Sequence, residues 1–134
     1  LRNELHNISK NYLRPVRNKE ELEKAEEIYS KLEEKINKQA VKNSRMIFNK
    51  EWCLAIENYN LLLIMKTIIK SAKLRKESRG AHYREDYTNI DNKHWLKNII
   101  IYQNNKNKMD FKIKDVVIND IKPPEKIIPY GEEK

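Results

Sequence analysis

Glycine is nearly missing: 134 residues hold two, Gly80 and Gly131. A loop that cradles a pyrophosphate needs several glycines in a short span, so that backbone N–H groups can approach the phosphates. The chain therefore has no segment that could bind a dinucleotide or phosphate in that way. Cysteine is scarcer still. With Cys53 alone, neither an intrachain disulfide nor a cysteine-based zinc site can form, and a reducing compartment is the simpler expectation. His6, His82 and His94 are scattered, and none sits with two further ligands at metal-binding spacing, so no metal ligand is assigned. Ser78 lacks the small-residue elbow that exposes a nucleophilic serine. No uninterrupted apolar run is longer than Leu61 to Met65, far short of the ~20 residues that cross a bilayer, so direct membrane insertion is not expected. With neither an initiator methionine nor a signal region ahead of it, Leu1 reads as an internal position of a longer chain.

Charge is plentiful, 28 Lys and Arg against 20 Asp and Glu, a formal +8. That excess permits contact with nucleic acid or another anionic surface but specifies neither. Apolar spacing says more. Leu1, Leu5, Ile8 and Tyr12 share one face of a first helix that Pro15 stops. Asn18 is placed to cap a second helix, whose Leu22, Ala25, Tyr29, Leu32 and Ile36 form a stripe at steps of three and four. Glu20/Lys24 and Glu27/Lys31 sit between them as i,i+4 pairs on a solvated face.

Residues 38–48 read as a connector whose Met46, Ile47 and Phe48 tuck under the bundle, and Asn49 as the cap of a third helix. That helix has two apolar faces: Trp52, Ala55, Ile56, Tyr59, Leu62, Leu63 and Ile69 on one, Leu54, Leu61, Met65, Ile68 and Ala72 on the other. Its Trp and Tyr are expected in the core. Helices one and two could cover both faces, or one face could meet a further domain.

Gly80 is placed to end the helix in a left-handed cap. His94 to Tyr102 and Phe111 to Ile118 read as two strands around the polar loop 104–108, hence a hairpin. Two strands alone are marginal in water, so this hairpin must lie on the bundle or on a partner. Pro123, Pro124 and Pro129 mark an extended tail held by Ile127, Ile128 and Tyr130. The expected fold is mainly α: a three-helix bundle, spectrin-repeat-like, followed by a short β-hairpin and an extended tail. Residues 1–96 form the bundle and its closing turn, and 97–134 an appendage of the same domain.

One stretch stands out, Arg75 to Tyr87, where Arg75, Glu77, Arg79, His82, Arg84, Glu85 and Asp86 crowd together with Tyr83 and Tyr87. Such a segment is either an anion-binding strip or a salt-bridged corner that docks on something. Arginine forks seek planar acceptors, so Arg79 and Arg84 should pair with carboxylates such as Asp86 or with groups on a neighbour. If the segment were helical, His82 and Asp86 would face each other at i,i+4. The docking corner is the preferred reading.

The order Arg75-x-Glu77-Ser78-Arg79-Gly80-Ala81-His82-Tyr83-Arg84-Glu85-Asp86-Tyr87, followed by Asn92 and Trp95-Leu96-Lys97, resembles the signature of the C-terminal domain of succinate dehydrogenase and fumarate reductase flavoprotein subunits. Arg17-Asn18 before a leucine-bearing helix, the long helix from Asn49 to Leu74, and the ending Pro123-Pro124-Glu125-Lys126 to Tyr130 are similar to further landmarks of that family. Thr88 departs from it, standing where the pattern has proline. The resemblance implies a noncatalytic helical domain of an FAD-dependent oxidoreductase, packed on flavin-binding and capping domains and supporting assembly with an iron–sulfur subunit. It places the catalytic and FAD-binding residues in other segments, so no catalytic or cofactor-binding residue is assigned to this chain. A cytoplasmic location is implied, at the membrane face through partner subunits. What carries over to Arg75, Ser78, Arg79, Gly80, His82, Arg84 and Asp86 is a signature turn that fixes the domain against its partners. L-Aspartate oxidase and adenylylsulfate reductase subunits carry variants of the signature and remain alternatives. From a different class, so does a stand-alone basic module that binds nucleic acid through the strip from Lys70 to Arg84.

Overall fold

Apolar periodicity and two asparagine caps dictate the helical part of this computed structural model, which describes residues 1–121, 123 and 124. Helix α1 spans Arg2–Tyr12, α2 Lys19–Asn37 and α3 Lys50–Leu74. The Asn18 side chain accepts from the Glu21 N–H at 2.9 Å, and Asn49 accepts from Trp52 N–H at 3.0 Å. Each cap satisfies a donor that the first turn of a helix leaves orphaned and is worth about 1 kcal/mol. The chain is mainly helical with a β-hairpin, as its spacing predicts.

The core lies where the three helices meet. Leu5 and Ile8 of α1, the α2 stripe of Leu22, Ala25, Tyr29, Leu32 and Ile36, and Leu62, Met65 and Ile69 of α3 are buried, each large side chain contributing about 1.5–3 kcal/mol. On α3 the buried stripe is Asn58, Leu62, Met65, Ile69 and Ala72, which draws on both faces read from the sequence and coincides with neither. Trp52 and Tyr59, expected in the core, are exposed, as are Ile56 and Leu63 of the same face. The reason is electrostatic as well as steric: Lys70 and Lys73 both bond Glu26 of α2, and Lys66 bonds Glu33 at 3.1 Å. These pairs fix which side of α3 turns inward. Within α3 an 18-residue window has a mean hydropathy of 1.2, long and apolar enough to cross a membrane by length and composition. No uninterrupted apolar run in α3 shows this, because polar residues such as Glu57-Asn58 and Lys66-Thr67 break the helix into short runs.

The connector before α3 also differs from expectation. Met46, Ile47 and Phe48 do not tuck under the bundle; they are 78%, 78% and 101% exposed, and Phe48 has φ 52°. Buried Asn49 takes the inner place instead, its amide donating to the carbonyls of Asn43 and Arg45 at 2.6 and 2.8 Å. Glu51 accepts from the Lys42 and Asn43 N–H groups at 3.2 and 3.1 Å.

Two small sheets complete the molecule. Strand β1, Val16–Arg17, pairs in parallel with β2, Tyr83–Arg84, tying the turn after α1 to the charged stretch. A single-turn helix α4, Asn92–Trp95, replaces the expected start of the first hairpin strand because Asp91 caps it, accepting from the His94 N–H at 2.9 Å. The hairpin is β3, Lys97–Gln103, against β4, Met109–Asp115, with Lys97 opposite Asp115 and Gln103 opposite Met109. Its loop is the predicted one, turned at Asn107 with φ 56°. The second strand stops before Val116, Val117 and Ile118. The expected anchors Ile127, Ile128 and Tyr130, and Pro129 with them, lie outside the described residues.

Candidate functional site

Residues 75–79 are not helical. Helix α3 ends at Leu74, Arg75 is extended and the chain bends at Glu77. Arg75 and Arg79 converge on Glu77. Glu77 is 0% exposed and accepts four bonds. Its Oε1 takes one from Arg75 and one from Arg79 Nε at 2.8 Å; its Oε2 takes one from Arg79 Nη2 at 3.0 Å and one from the Asp91 N–H at 2.9 Å. Burial by itself would raise this carboxyl, but the Arg79 fork, the Asp91 N–H and Arg75 outweigh it and hold Glu77 below the ordinary glutamate range.

The remaining donors of Arg75 and Arg79 reach the following segment. Arg75 donates to the carbonyls of Trp95 and Lys97 at 3.1 and 2.6 Å and lies over the Trp95 ring at 5.4 Å. Arg79 donates to Asn92 Oδ1 at 2.7 Å. The hairpin is thus fastened to the end of α3 through guanidinium groups rather than through an apolar face.

Gly80 does not cap α3, although the sequence suggests it. It has the left-handed φ of 58°, but inside a tight two-residue turn: Arg79 and His82 exchange backbone bonds, N–H to carbonyl, at 2.8 and 3.1 Å. A second turn follows at Glu85 and Asp86, closed by Tyr87 N–H donating to the Arg84 carbonyl at 3.0 Å. Buried Ser78 binds both turns together. Its Oγ accepts from the Arg84 N–H at 2.8 Å and donates to the Tyr87 carbonyl at 2.8 Å.

Arg84, 3% exposed, is the second anchor. Its Nε and Nη2 grip the two oxygens of Asp86 at 2.8 and 2.6 Å, and its Nη1 donates to the carbonyls of Ala72 and Arg75 at 2.6 and 3.2 Å. It also stacks on Tyr87 at 5.1 Å. The bond to Arg84 draws the Asp86 pKa below its usual value.

His82 faces Arg17 rather than Asp86, since the segment is a pair of turns and not a helix. Arg17 Nη1 lies 3.1 Å from His82 Nδ1. Burial and then the Arg17 charge push the His82 pKa down, favouring a neutral ring that accepts through Nδ1. Asn18 adds a contact from the same segment, its amide donating to Glu85 at 2.9 Å.

All seven residues of the signature turn therefore sit in one corner. Sequence reading left Glu77 and Arg17 out of the site. The signal for Glu77 was its place two residues from an arginine on either side. Arg17 stood out only as a landmark before the second helix, and β-pairing over a long stretch of chain brings it to the corner.

Chemically, the corner is a set of internal pairs. Arg79 and Arg84 are spent on Glu77 and Asp86, which withdraws both from the basic strip a nucleic acid would need. The same donor set does not fit a flavin: these forks end on the chain's own carboxylates and carbonyls and do not converge on a pyrophosphate.

Comparison with known proteins agrees with the signature. The model of the fumarate reductase flavoprotein C-term family matches residues 2–128. The 8-methylmenaquinol:fumarate reductase flavoprotein subunit of Wolinella succinogenes is 29% identical over 94% of this chain and 21% of its own length. The mitochondrial succinate dehydrogenase [ubiquinone] flavoprotein subunit of Oryza sativa subsp. japonica is 32% identical over 78% of this chain and 17% of its own. In three dimensions the chain is similar to the FrdA chain of E. coli quinol fumarate reductase, with a TM-score of 0.81 and 26% identity over 95% of this chain and 22% of that one. The chain spans about a fifth of the length of these relatives. With the model match running nearly end to end, the chain belongs to the C-terminal domain family of fumarate reductase and succinate dehydrogenase flavoproteins.

Proposed function

We propose that this chain is the noncatalytic helical domain of an FAD-dependent flavoprotein of the succinate dehydrogenase and fumarate reductase type. It packs on the flavin-binding and capping domains and supports assembly with an iron–sulfur subunit. Residues 1–96 are the bundle and its closing turn, and 97–134 the appended hairpin and tail. The corner formed by Arg75, Ser78, Arg79, Gly80, His82, Arg84 and Asp86 is the rigid element that fixes the domain against its partners. A single observation carries this reading: Glu77 and Arg84, the most deeply buried ionisable groups among the described residues, are spent entirely on holding two turns to the end of α3. Groups committed in this way shape a surface; they do not move protons at a substrate. The exposed apolar side chains of Phe48, Trp52, Ile56, Tyr59 and Leu63 support docking, because apolar patches on a surface mark interaction sites. FAD and the reacting substrate belong to the partner domains, in the cytoplasm or at the membrane face through further subunits.

Two measurements test the reading. The 134-residue chain should bind no stoichiometric FAD and reduce no fumarate with a reduced viologen donor. Co-expressed with the flavin-bearing polypeptide of the same source, it should co-purify. FAD retained by the chain alone, or fumarate turnover by it, would overturn the division of roles.

A further inference from the structure

Charge does not balance on the β1 side of the corner. Four guanidinium groups, of Arg17, Arg75, Arg79 and Arg84, meet two carboxylates, Glu77 and Asp86. Glu85, the next acid, turns outward to Asn18. Arg17 is the unmatched cation, with no ion pair among the described residues. Its Nε–H donates to the Arg14 carbonyl, Nη2 to the Leu13 carbonyl at 3.3 Å, and Nη1 contacts His82 Nδ1 at 3.1 Å. All three acceptors are neutral, and they use three of the five N–H bonds that a guanidinium offers. One N–H on each terminal nitrogen remains. Burial and the nearby Arg84 both press the Arg17 pKa down, the mark of a cation held without its counter-ion.

Beside Arg17 opens a cleft of about 390 Å³ between α3 and the start of β3. Arg17, Arg75 and His82 line it together with the polar Thr67, Ser71 and Asn98 and the apolar Ile68, Ala72 and Ile99. Arg75 brings its Nε–H, which its bonds to Glu77, Trp95 and Lys97 leave unused. We infer that this cleft is an anion site that takes a carboxylate, bound by the remaining N–H groups of Arg17 with help from Arg75. A carboxylate fits better than a phosphate. A planar carboxylate spans the two terminal nitrogens of Arg17, and the apolar side chains of the cleft suit a methylene stem while penalising the desolvation of a dianion. The carboxylate comes either from an Asp or Glu side chain on the docked partner surface, which rests on the function proposed above, or from a small organic acid in solution.

Acetate, glutarate and phosphate, titrated into the 134-residue chain at ionic strength fixed with chloride, test the site through the Arg17 Nε–H and His82 ring resonances. Acetate and glutarate should shift both saturably, and Arg17→Gln should weaken that binding about tenfold or more, as expected for a lost charged hydrogen bond. In the assembly with the flavin-bearing polypeptide, loss of acetate binding together with weaker assembly of Arg17→Gln identifies a partner-borne carboxylate. Retained acetate binding with unchanged assembly identifies a free acid. Phosphate preferred over acetate, or no saturable shift together with wild-type assembly of Arg17→Gln, would overturn the inference. A wild-type chain that fails to assemble at all counts against the docking function alone, since the titration still reads the cleft. If Arg17→Gln does not fold, Arg17→Lys carries the comparison: it keeps the charge and loses the fork, and should still bind acetate more weakly.

Discussion

Replacing Arg84 with methionine removes a guanidinium from a site that is 3% exposed while keeping an unbranched side chain there. The losses can be counted. Asp86 loses two bonds, and the carbonyls of Ala72 and Arg75 lose the donor that closes the end of α3. The last carbonyls of a helix have no intrahelical donors, and a buried acceptor left unpaired costs about 1–3 kcal/mol. Breaking a buried ion pair from one side costs about 3–5 kcal/mol. Asp86 stands partly in water and recovers solvation, so the pair falls at the lower end, and methionine returns about 1 kcal/mol of apolar burial. With the two carbonyls unpaired at about 1 kcal/mol each, the net loss is about 4 kcal/mol, a large share of the roughly 5–15 kcal/mol that holds a domain together.

Urea unfolding followed by circular dichroism should show a lower midpoint at unchanged slope, and the melting temperature should fall by about 10 °C or more. Asp86→Asn leaves Arg84 its two carbonyls and an amide oxygen, so its cost should be only about 1 kcal/mol. An Arg84→Met chain within about 0.5 kcal/mol of wild type, the range of an ordinary surface change, would refute the claim that this arginine holds the corner to the helix.

Three further outcomes follow from the same geometry. Ser78→Ala removes a buried hydroxyl that bridges the Arg84 N–H and the Tyr87 carbonyl; urea unfolding should show a loss of about 1–3 kcal/mol, and a change near zero would mean that the two turns are not joined there. An added Cβ at Gly80 meets nothing within 4 Å, so Gly80→Val should lose only backbone strain, about 1–2 kcal/mol, and Gly80→Asn clearly less; equal losses would point to crowding instead. His82 is held neutral, its pKa lowered from the ordinary 6.5. The unfolded chain therefore binds the proton first, and the stability from His82 is full above pH 6.5 and is lost as pH falls through the lowered folded value. Melting temperatures taken downward from pH 7.5 should drop for the wild type and stay flatter for His82→Gln; parallel curves would remove His82 from the account.

How much of this was legible in the sequence depends on range. The α2 stripe and the caps Asn18 and Asn49 were readable because helical period and capping act within a few residues. The inward side of α3 was not, because a helix apolar nearly all round has no polar face to orient it. Its direction comes from Lys66, Lys70 and Lys73 meeting Glu26 and Glu33 of another helix. Gly80 shows the same limit on a smaller scale. Its left-handed backbone was predictable from residue type, whereas its place in a two-residue turn depended on Arg79 and His82 pairing across it. The outward turn of Met46, Ile47 and Phe48 was hidden for a related reason: a polar residue, Asn49, satisfies more backbone groups inside than any of the three could.

Dense ionisable groups have two structural meanings, and the corner contains both. Glu77, Arg79, Arg84 and Asp86 face one another, so their charges are consumed in making a shape. Arg17 lies outside the dense stretch, bonds only neutral acceptors and faces a cleft, so its charge is still available. The residues that make the sequence stand out are then its scaffold, and the group with capacity to recognise something is supplied by β1. The two roles separate experimentally under the proposed docking. Changes at Glu77 or Arg84 should lower stability and assembly together, because the surface itself is lost. A change at Arg17 removes no carboxylate's partner, so it should weaken recognition with a much smaller loss of stability.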